Sequence, residues 1–345
     1  MRLTIWCCVA GSICVAFAGL TTAGETAEGG WTALDRRGFN AIWALRTTGD
    51  LFISNGKTLH LSRDHGETWT EPVEKQKRGR HYNSIAMDAD WKGERLAVFP
   101  IDSPAGWITL DGGRSWDTFA KPKPPQVKKH DGWTLGAVDW SQEEPTRFFA
   151  KEHHSGNYWF SEDAGATWRR LEGFGGYFGI GFGADGALLV GAFEGKKAHM
   201  PGDKPGIYRS TDDGASWELV FECKLHQKVA PQRFDETLLW PTVEGLAVSR
   251  DGGKTWALLK YTPKDVLFGP FFGKTQEHMV VVTEEGVHES ADGCKSWDLI
   301  VPRGDLPMVV RDANVAGLMP NFAWDPQADI LYATSMGVGL FRRQL

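Results

Sequence analysis

Short stretches in which apolar and polar residues alternate recur along this chain, and a similar eight-residue frame follows many of them. The run Gly245-Leu-Ala-Val-Ser249 alternates as a β-strand does, and Trp256-Ala-Leu-Leu259 resumes the apolar pattern after the frame. The frame itself, Ser249-Arg-Asp-Gly-Gly-Lys-Thr-Trp256, therefore occupies the position of a hairpin turn. No long amphipathic helical stretch interrupts this pattern. The sequence predicts an all-β protein.

The frame occurs six times, and each of its aspartates is followed by the next after 39 to 52 residues. A repeat of this length is typical of propellers and other repeat arrays. In each copy the carboxylate is expected to accept backbone N–H groups and the glycine to adopt positive φ. The tryptophan is expected to pack between units, with its indole N–H bonded to a partner. The six aspartates are Asp64, Asp111, Asp163, Asp212, Asp251 and Asp292, and the last copy has Cys294 at the usual glycine position.

The frame resembles the Asp box, or BNR repeat, of sialidase-like β-propellers, and the resemblance covers the chain from about Gly29 to Leu345. It implies blades of four strands, labelled a to d from the inside outwards, with an Asp box in each c–d hairpin. Seven segments fit strand b, which predicts a seven-bladed propeller; six and eight blades are the alternatives. Residues Trp31–Leu34 are expected to close the last blade as its outer strand. The Asp-box aspartates are predicted to be scaffold residues.

The amino terminus has the pattern of a secretory signal peptide. Arg2 precedes an apolar run from Leu3 to Leu20, and Thr21-Thr-Ala23 would serve as a cleavage site. The alternative is an uncleaved membrane anchor, since the run is just long enough to span a bilayer. We therefore expect a signal peptide at 1–23, a single propeller domain at 24–345, and a secreted or periplasmic monomer with no membrane contact after signal removal.

Composition narrows the choice of partners. The net charge of −6 and the absence of a long basic run argue against nucleic acid. Sixteen tryptophans and 41 glycines suit a turn-rich β protein. After signal removal only Cys223 and Cys294 remain, in different repeats, so no disulfide is expected. No short metal-binding motif occurs, and neither a metal nor another cofactor is predicted.

Candidate site residues gather in the loops from strand d to the next strand a and from b to c. Those loops share the face opposite the Asp boxes, and they are the longer and more irregular loops, where function concentrates. Because cationic and titratable side chains gather there on an acidic protein, an anionic glycan is the expected ligand. The alternative is that they point apart into solvent. The predicted catalytic residues are His81, Tyr82, Asp102, Glu152 and His154, and the predicted substrate-binding residues are Arg37, Arg80, His130, Trp133, Arg233 and Arg311.

Two classes of function fit this inventory. The first is a carbohydrate-active enzyme acting on an acidic oligo- or polysaccharide, either a glycoside hydrolase with paired carboxyl groups or a polysaccharide lyase with a neutralising cation. The alternative is a non-catalytic binding or assembly propeller for a protein complex or a glycan. Sialidase activity is not expected, because Gly38-Phe39 follows Arg37 where sialidases have an Arg-Ile-Pro motif, and no tyrosine occupies a suitable late loop.

Overall fold

Strands account for almost all of the regular structure. The two exceptions are single 3-10 turns at Glu28–Gly30 and Arg303–Asp305. In the described part of the chain, no helix is long and apolar enough to cross a membrane. The computed structural model describes residues 28–34, 41–54, 58–70, 85–100, 105–120, 133–152, 156–176, 178–193, 199–225, 229–307, 320–335 and 339–345.

The strands form seven antiparallel sheets arranged as the blades of a propeller. Blade 1 contains β2 (Ala41–Ala44), β3 (Leu51–Ser54) and β4 (Leu59–Ser62). Blade 2 contains β5 (Ile85–Ala89), β6 (Leu96–Pro100), β7 (Ala105–Thr109) and β8 (Asp117–Ala120). Blade 3 contains β9 (Trp133–Val138), β10 (Phe148–Glu152), β11 (Tyr158–Ser161) and β12 (Arg169–Leu171). Blade 4 contains β13 (Gly179–Phe182), β14 (Leu188–Ala192), β15 (Gly206–Ser210) and β16 (Glu218–Glu222); blade 5 contains β17 (Gln232–Phe234), β18 (Thr237–Thr242), β19 (Gly245–Ser249) and β20 (Ala257–Leu258); blade 6 contains β21 (Phe268–Phe272), β22 (Met279–Val282), β23 (Gly286–Ser290) and β24 (Asp298–Pro302). Blade 7 contains β25 (Pro320–Asp325), β26 (Ile330–Ser335), β27 (Gly339–Gln344) and the amino-terminal β1 (Thr32–Leu34).

The predicted closure of the ring is confirmed. Strand β1 pairs antiparallel with β27, with Thr32 opposite Arg342 and Leu34 opposite Leu340. Trp31, immediately before β1, is completely buried. The amino-terminal strand thus covers the edge that β27 would otherwise expose. Three strands of blade 1 are described. Its outer strand, predicted to begin at Trp69, falls largely on residues 71–84, outside the described residues.

The hydrophobic core lies between the blades. Seven clusters of buried side chains occur among the described residues, one for each seam between neighbouring sheets. At the seam that joins the two ends of the ring, Ile42 of blade 1 packs with Ala323 and Tyr332 of blade 7. Each blade is therefore stabilised by its two neighbours, as expected of a repeat architecture.

The repeated frame forms the turn between strands c and d, as predicted. Ser249 Oγ donates to Asp251 Oδ1 at 2.8 Å, and the same oxygen accepts the Thr255 amide at 2.9 Å. The Thr255 hydroxyl donates to Asp251 Oδ2 at 2.6 Å. Gly253 has a φ of 94°, which a side chain would strain. The carboxylate is therefore saturated by its own turn, which is the arrangement of a scaffold residue.

The tryptophans of the frame differ in one respect from expectation. Each indole N–H was expected to find a partner, and Trp256 Nε1 does donate to Gly253 O at 3.1 Å. Trp69 and Trp168 make the corresponding bond. The buried indole nitrogens of Trp116, Trp217 and Trp297 have no partner among the described residues. Apolar packing at the seam therefore fixes these rings even where the hydrogen bond is missing.

Cys223 and Cys294 are buried thiols and form no disulfide, as the sequence predicts. Burial raises the pKa of each thiol to about 12. Both therefore stay protonated at neutral pH, and neither carries thiolate chemistry.

Candidate functional site

Most of the site residues predicted from the sequence lie outside the described residues. Trp133, Glu152 and Arg233 are the three that the structure places. Those outside are Arg37, Arg80, His81, Tyr82, Asp102, His130, His154 and Arg311. Their convergence into one pocket stays a prediction.

Trp133 and Glu152 lie in strands of blade 3 and are buried, not exposed in loops as the sequence suggested. They pair directly across β9 and β10, and each is only 2% exposed. The Glu152 carboxylate accepts Asn157 Nδ2 at 3.1 Å and Trp159 Nε1 at 3.4 Å. The Trp133 ring packs at a tilt of 40° against Trp168, with centroids 4.7 Å apart. These contacts tie both side chains to the packing of blade 3, and their roles in a site stay predictions.

Arg233 lies in strand β17 and lines a cavity on the propeller axis, not a loop site. The cavity has a volume of about 120 Å³ and is lined mainly by the innermost strands, close to the a–b turns. A cavity of about 150 Å³ accommodates a benzene ring, so this one admits a group of roughly that size. Its charged lining residues are Arg46, Asp88, Asp90 and Arg233, and aromatic groups including Trp43, Trp91, Trp140 and Trp324 surround them.

Asp88 is the carboxyl group in this cavity with free hydrogen-bonding capacity. Its Oδ2 accepts the Val138 amide at 2.7 Å and Trp140 Nε1 at 2.9 Å. Oδ1 has no hydrogen-bond partner among the described residues. Burial raises the pKa of Asp88 to about 7, with the nearby Asp90 adding to the rise and the two N–H donors and Arg233 opposing it. Asp88 therefore takes up or releases its proton around neutral pH.

Asp90, two residues further on and just past the end of β5, is already engaged. Its Oδ2 accepts Arg95 Nε at 2.9 Å and forms an ion pair with that guanidinium, and its Oδ1 accepts the Lys92 amide at 3.3 Å. The side chain of Asp90 is almost fully buried. Asp90 therefore serves the a–b turn of blade 2, and Asp88 is the group available to a ligand.

Neither arginine of the cavity forms an ion pair among the described residues, although Asp90 attracts both, and Glu236, Asp139 and Asp235 also attract Arg233. Arg233 Nε donates to the Asp235 carbonyl at 2.6 Å, and Arg46 donates only to backbone carbonyls. Burial lowers the pKa of both guanidinium groups, although both stay charged at neutral pH. Elsewhere near the turns the arginines are paired: Arg63 with Asp50, Arg95 with Asp90, Arg147 with Asp139 and Asp213, Arg209 with Asp185, and Arg342 with Glu67.

Arg46 also connects blades across the axis. Its guanidinium donates to Trp91 O in blade 2 at 2.9 Å and to Gly273 O in blade 6 at 3.1 Å. The guanidinium lies 4.4 Å from the ring centroid of Phe234 in blade 5, a cation–π contact, and Gln327 Nε2 of blade 7 donates to Arg46 O at 2.8 Å. Trp91 packs on Phe234 with centroids 5.5 Å apart. This group obstructs the axis at the end with the a–b turns.

The axial cavity therefore combines two guanidinium groups that form no ion pair among the described residues, a carboxyl group whose pKa is raised, and aromatic walls. Such a site can bind an anionic group that accepts hydrogen bonds and carries a small ring. The described residues contain no cluster of three or more His, Cys, Asp or Glu suited to a metal ion. Asp88 and Arg46 are not among the residues predicted from the sequence, because those candidates were taken from the loops. The sequence does carry a sign of this site, in the alternation Met87-Asp88-Ala89-Asp90. It places two acidic residues on one face of a predicted innermost strand.

Comparisons with curated proteins give weak and partial matches. No protein-family model matches the chain. A probable oligoxyloglucan-reducing end-specific xyloglucanase from Neosartorya fischeri is 26% identical over 171 residues, 48% of this chain and 20% of that protein. Vacuolar protein sorting/targeting protein 10 from Blastomyces gilchristii is 25% identical over 131 residues, 35% of this chain and 8% of that protein. The alignments thus span a fifth or less of these relatives.

Solved structures match over nearly the whole chain at low identity. YCF48 bound to D1 peptide has a TM-score of 0.51 at 16% identity, covering 96% of this chain and all of that one. The GH74 enzyme of Niastella koreensis has a TM-score of 0.51 at 14% identity, covering 93% of this chain and 53% of that one. The Cps50 (Swd1) β-propeller domain of Myceliophteria thermophila has a TM-score of 0.58 at 11% identity, covering 91% and 99%. These likenesses show a seven-bladed propeller whose neighbours include both glycan-acting and other propellers.

Proposed function

We propose that this chain is a carbohydrate-active propeller of the Asp-box type that acts on an acidic glycan, with the axial cavity receiving the acidic sugar unit. The observation that carries the proposal is that two partly buried guanidinium groups, Arg46 and Arg233, share one cavity and form no ion pair among the described residues. Asp90 attracts both groups, but it is ion-paired with Arg95, so the cavity still favours an anionic ligand. The match to a xyloglucanase and the likeness to a GH74 enzyme support a carbohydrate over other anions.

Of the two reaction classes, β-elimination from a uronate fits this cavity better than hydrolysis. In elimination a base removes the C5 proton, the C4–O bond breaks, a C4–C5 double bond forms, and the departing oxygen takes a proton. A cation on the uronate carboxylate makes the C5 proton easier to remove. Hydrolysis needs two carboxyl groups, whereas Asp90 is engaged by Arg95. We propose Arg233 as the neutralising group and His81, Tyr82 or His154 as proton-transfer groups. The sequence places these three residues in loops on the face opposite the a–b turns, so the reaction requires C5 of the sugar to lie on the side of the cavity away from those turns.

The test is a panel of uronic-acid, sialic-acid and neutral oligosaccharides, assayed for new reducing ends and for the ultraviolet absorbance of an unsaturated product. Both signals together indicate elimination, and reducing ends alone indicate hydrolysis. Arg233→Gln is expected to weaken turnover about tenfold or more through a higher KM, with wild-type activity weakening as salt rises. Arg63→Gln is the matched control, because Arg63 is paired with Asp50 in blade 1 and does not line the cavity.

Three results of the same panel would contradict parts of the proposal. Binding of an acidic glycan without turnover would favour the non-catalytic binding propeller. A neutral glycan turned over without salt dependence would reject the electrostatic argument while keeping the carbohydrate one. Turnover that survives Arg233→Gln unchanged would remove the axial cavity from the reaction.

We further propose that the protein acts outside the cytoplasm, as a monomer, after removal of residues 1–23. The support is the apolar run from Leu3 to Leu20, which lies outside the described residues. Amino-terminal sequencing of the protein recovered from the periplasm or medium is expected to begin at Gly24. A protein retained in the membrane with Met1 intact would favour the uncleaved anchor.

A further inference from the structure

Asp88 has a fixed orientation, and that orientation assigns the position of its proton. The Val138 amide and the Trp140 indole both donate to Oδ2, at 2.7 and 2.9 Å. An oxygen that accepts two N–H donors is a poor site for a proton, because its lone pairs are occupied. The proton of the neutral acid therefore lies on Oδ1, the oxygen without a partner among the described residues. An O–H donor in this position is available to a ligand in the cavity.

Burial favours this neutral form of Asp88, and an anion bound beside it favours the neutral form further. Of the described residues, the charged groups that line the cavity besides Asp88 itself are Arg46, Asp90 and Arg233, and no histidine is among them. Asp90 repels a second negative charge at Asp88, whereas Arg233 attracts one. When the carboxylate of a ligand engages Arg233, that attraction is shared between two anions, and the proton on Asp88 is held more tightly.

We infer that Asp88 is a specificity-determining residue that donates its Oδ1 proton to the ligand's carboxylate while Arg233 contacts the same group, so that binding takes up protons. The inference rests on the proposed function, because it assumes that an acidic sugar enters the axial cavity. It makes the site selective for carboxylates at neutral and mildly acidic pH. Above neutral pH, Asp88 becomes an anion and repels the same ligand.

The test measures the binding of free glucuronate and galacturonate by calorimetry from about pH 5 to about pH 9, in two buffers with different heats of ionisation. Affinity is expected to be level at low pH and to fall about tenfold per pH unit above pH 7, with net proton uptake near neutrality. Asp88→Asn keeps an oxygen acceptor for the two donors and an N–H donor towards the cavity. It is expected to bind uronate with neither pH dependence nor proton uptake.

Asp185→Asn is the matched control, because Asp185 pairs with Arg209 in blade 4, away from the cavity, and the variant should keep the wild-type pH profile. Carbon-13 NMR of the Asp88 carboxyl, assigned by comparison with Asp88→Asn, should show titration near pH 7 that moves upwards when uronate binds. Uronate binding that is independent of pH in the wild type, or equally pH-dependent in Asp88→Asn, overturns the inference and leaves the proposed acidic ligand standing. Failure of every uronate to bind overturns the proposed function and the inference with it.

Discussion

The carboxyl groups of the repeated turns and the carboxyl group of Asp88 are the same chemical group in opposite surroundings. At Asp212, hydrogen bonds from the side chain and amide of Ser216, with further bonds from Ser210 and its own backbone, lower the pKa to about 2. At Asp88, burial raises the pKa to about 7 although two N–H donors oppose the rise. In the turns, hydrogen-bond donors surround a charged carboxylate at the surface. On the axis, the Asp88 carboxyl group is buried, and its Oδ1 has no hydrogen-bond partner among the described residues.

The arginines repeat this contrast. Arg147 donates to Asp139 Oδ2 at 2.8 Å and to Gly186 O at 2.6 Å, and it also pairs with Asp213 in the next blade. Arg46 and Arg233 have only carbonyl and ring partners. Charges near the turns are therefore matched and join one blade to the next, while Arg46 and Arg233 on the axis form no ion pair within the described residues. The difference separates a region that stabilises the fold from a region suited to a ligand.

Removing the closing strand should have the largest effect on stability. Deletion of residues 24–35 removes the buried Trp31 and exposes the edge of β27. We expect the free energy of unfolding to fall by about 5 kcal/mol or more, because a large core side chain and a ladder of strand hydrogen bonds are lost together. Urea denaturation of the truncated chain measures this against the chain that starts at residue 24. A truncated chain that unfolds like its parent would contradict the closure.

Asp88→Asn should stabilise the protein in a pH-dependent way. A buried carboxyl group with a raised pKa favours the native state while it is protonated, so its contribution is greatest below about pH 4 and is lost as the pH rises to about 7. The variant lacks this loss and should be more stable than wild type at pH 8 by about 4 kcal/mol. Urea denaturation at several pH values tests the sign. A wild-type curve parallel to that of the variant would mean that Asp88 titrates normally.

Arg147→Ala and Arg233→Ala should separate the two regions directly. Loss of Arg147 leaves the nearly buried Asp139 without its cation, and we expect a destabilisation of about 2–3 kcal/mol with uronate binding unchanged. Loss of Arg233 breaks no ion pair, so it should change stability by less than about 1 kcal/mol while weakening uronate binding. Thermal unfolding and calorimetric titration of both variants measure this. If the Arg147 variant binds uronate more weakly while its stability is unchanged, the region near the turns also takes part in binding, and the contrast is wrong.

The smallest effect is expected at Asp212, and it should have the opposite slope to Asp88. A carboxylate with a depressed pKa stabilises the native state above about pH 4, and this contribution is lost as the pH falls towards about 2. Asp212→Asn should therefore resemble the acidified wild type, with a lower unfolding temperature at pH 7 and little difference at pH 2. A difference that persists unchanged into acid would show that the turn does not depend on this charge.

The repeated frame made most of the fold predictable, because the turn that it encodes places strands c and d without reference to the rest of the chain. The alternation before the frame located strand β19, whose predicted range of Gly245–Ser249 matches the structure. Closure by Trp31–Leu34 was predictable because the last blade lacks an outer strand of its own at the carboxyl terminus. The axial cavity did not follow, since Asp88, Arg46 and Arg233 lie in three different blades and meet only after the ring forms. Arg233 was assigned to a loop because strand β17 has only three residues and gives almost no periodic signal.

The pairing of β1 with β27 has a consequence for the order of events during synthesis. Strand β1 is the first of the described strands to leave the ribosome, yet its partner is the last, with Thr32 opposite Arg342. Trp31 and its strand must therefore wait, without a native sheet to join, while six intervening blades are translated. Contacts this distant in sequence form slowly, so we expect ring closure to be the last step of folding. Until then the nascent chain presents an unpaired strand that a chaperone, or a second copy of the chain, can bind.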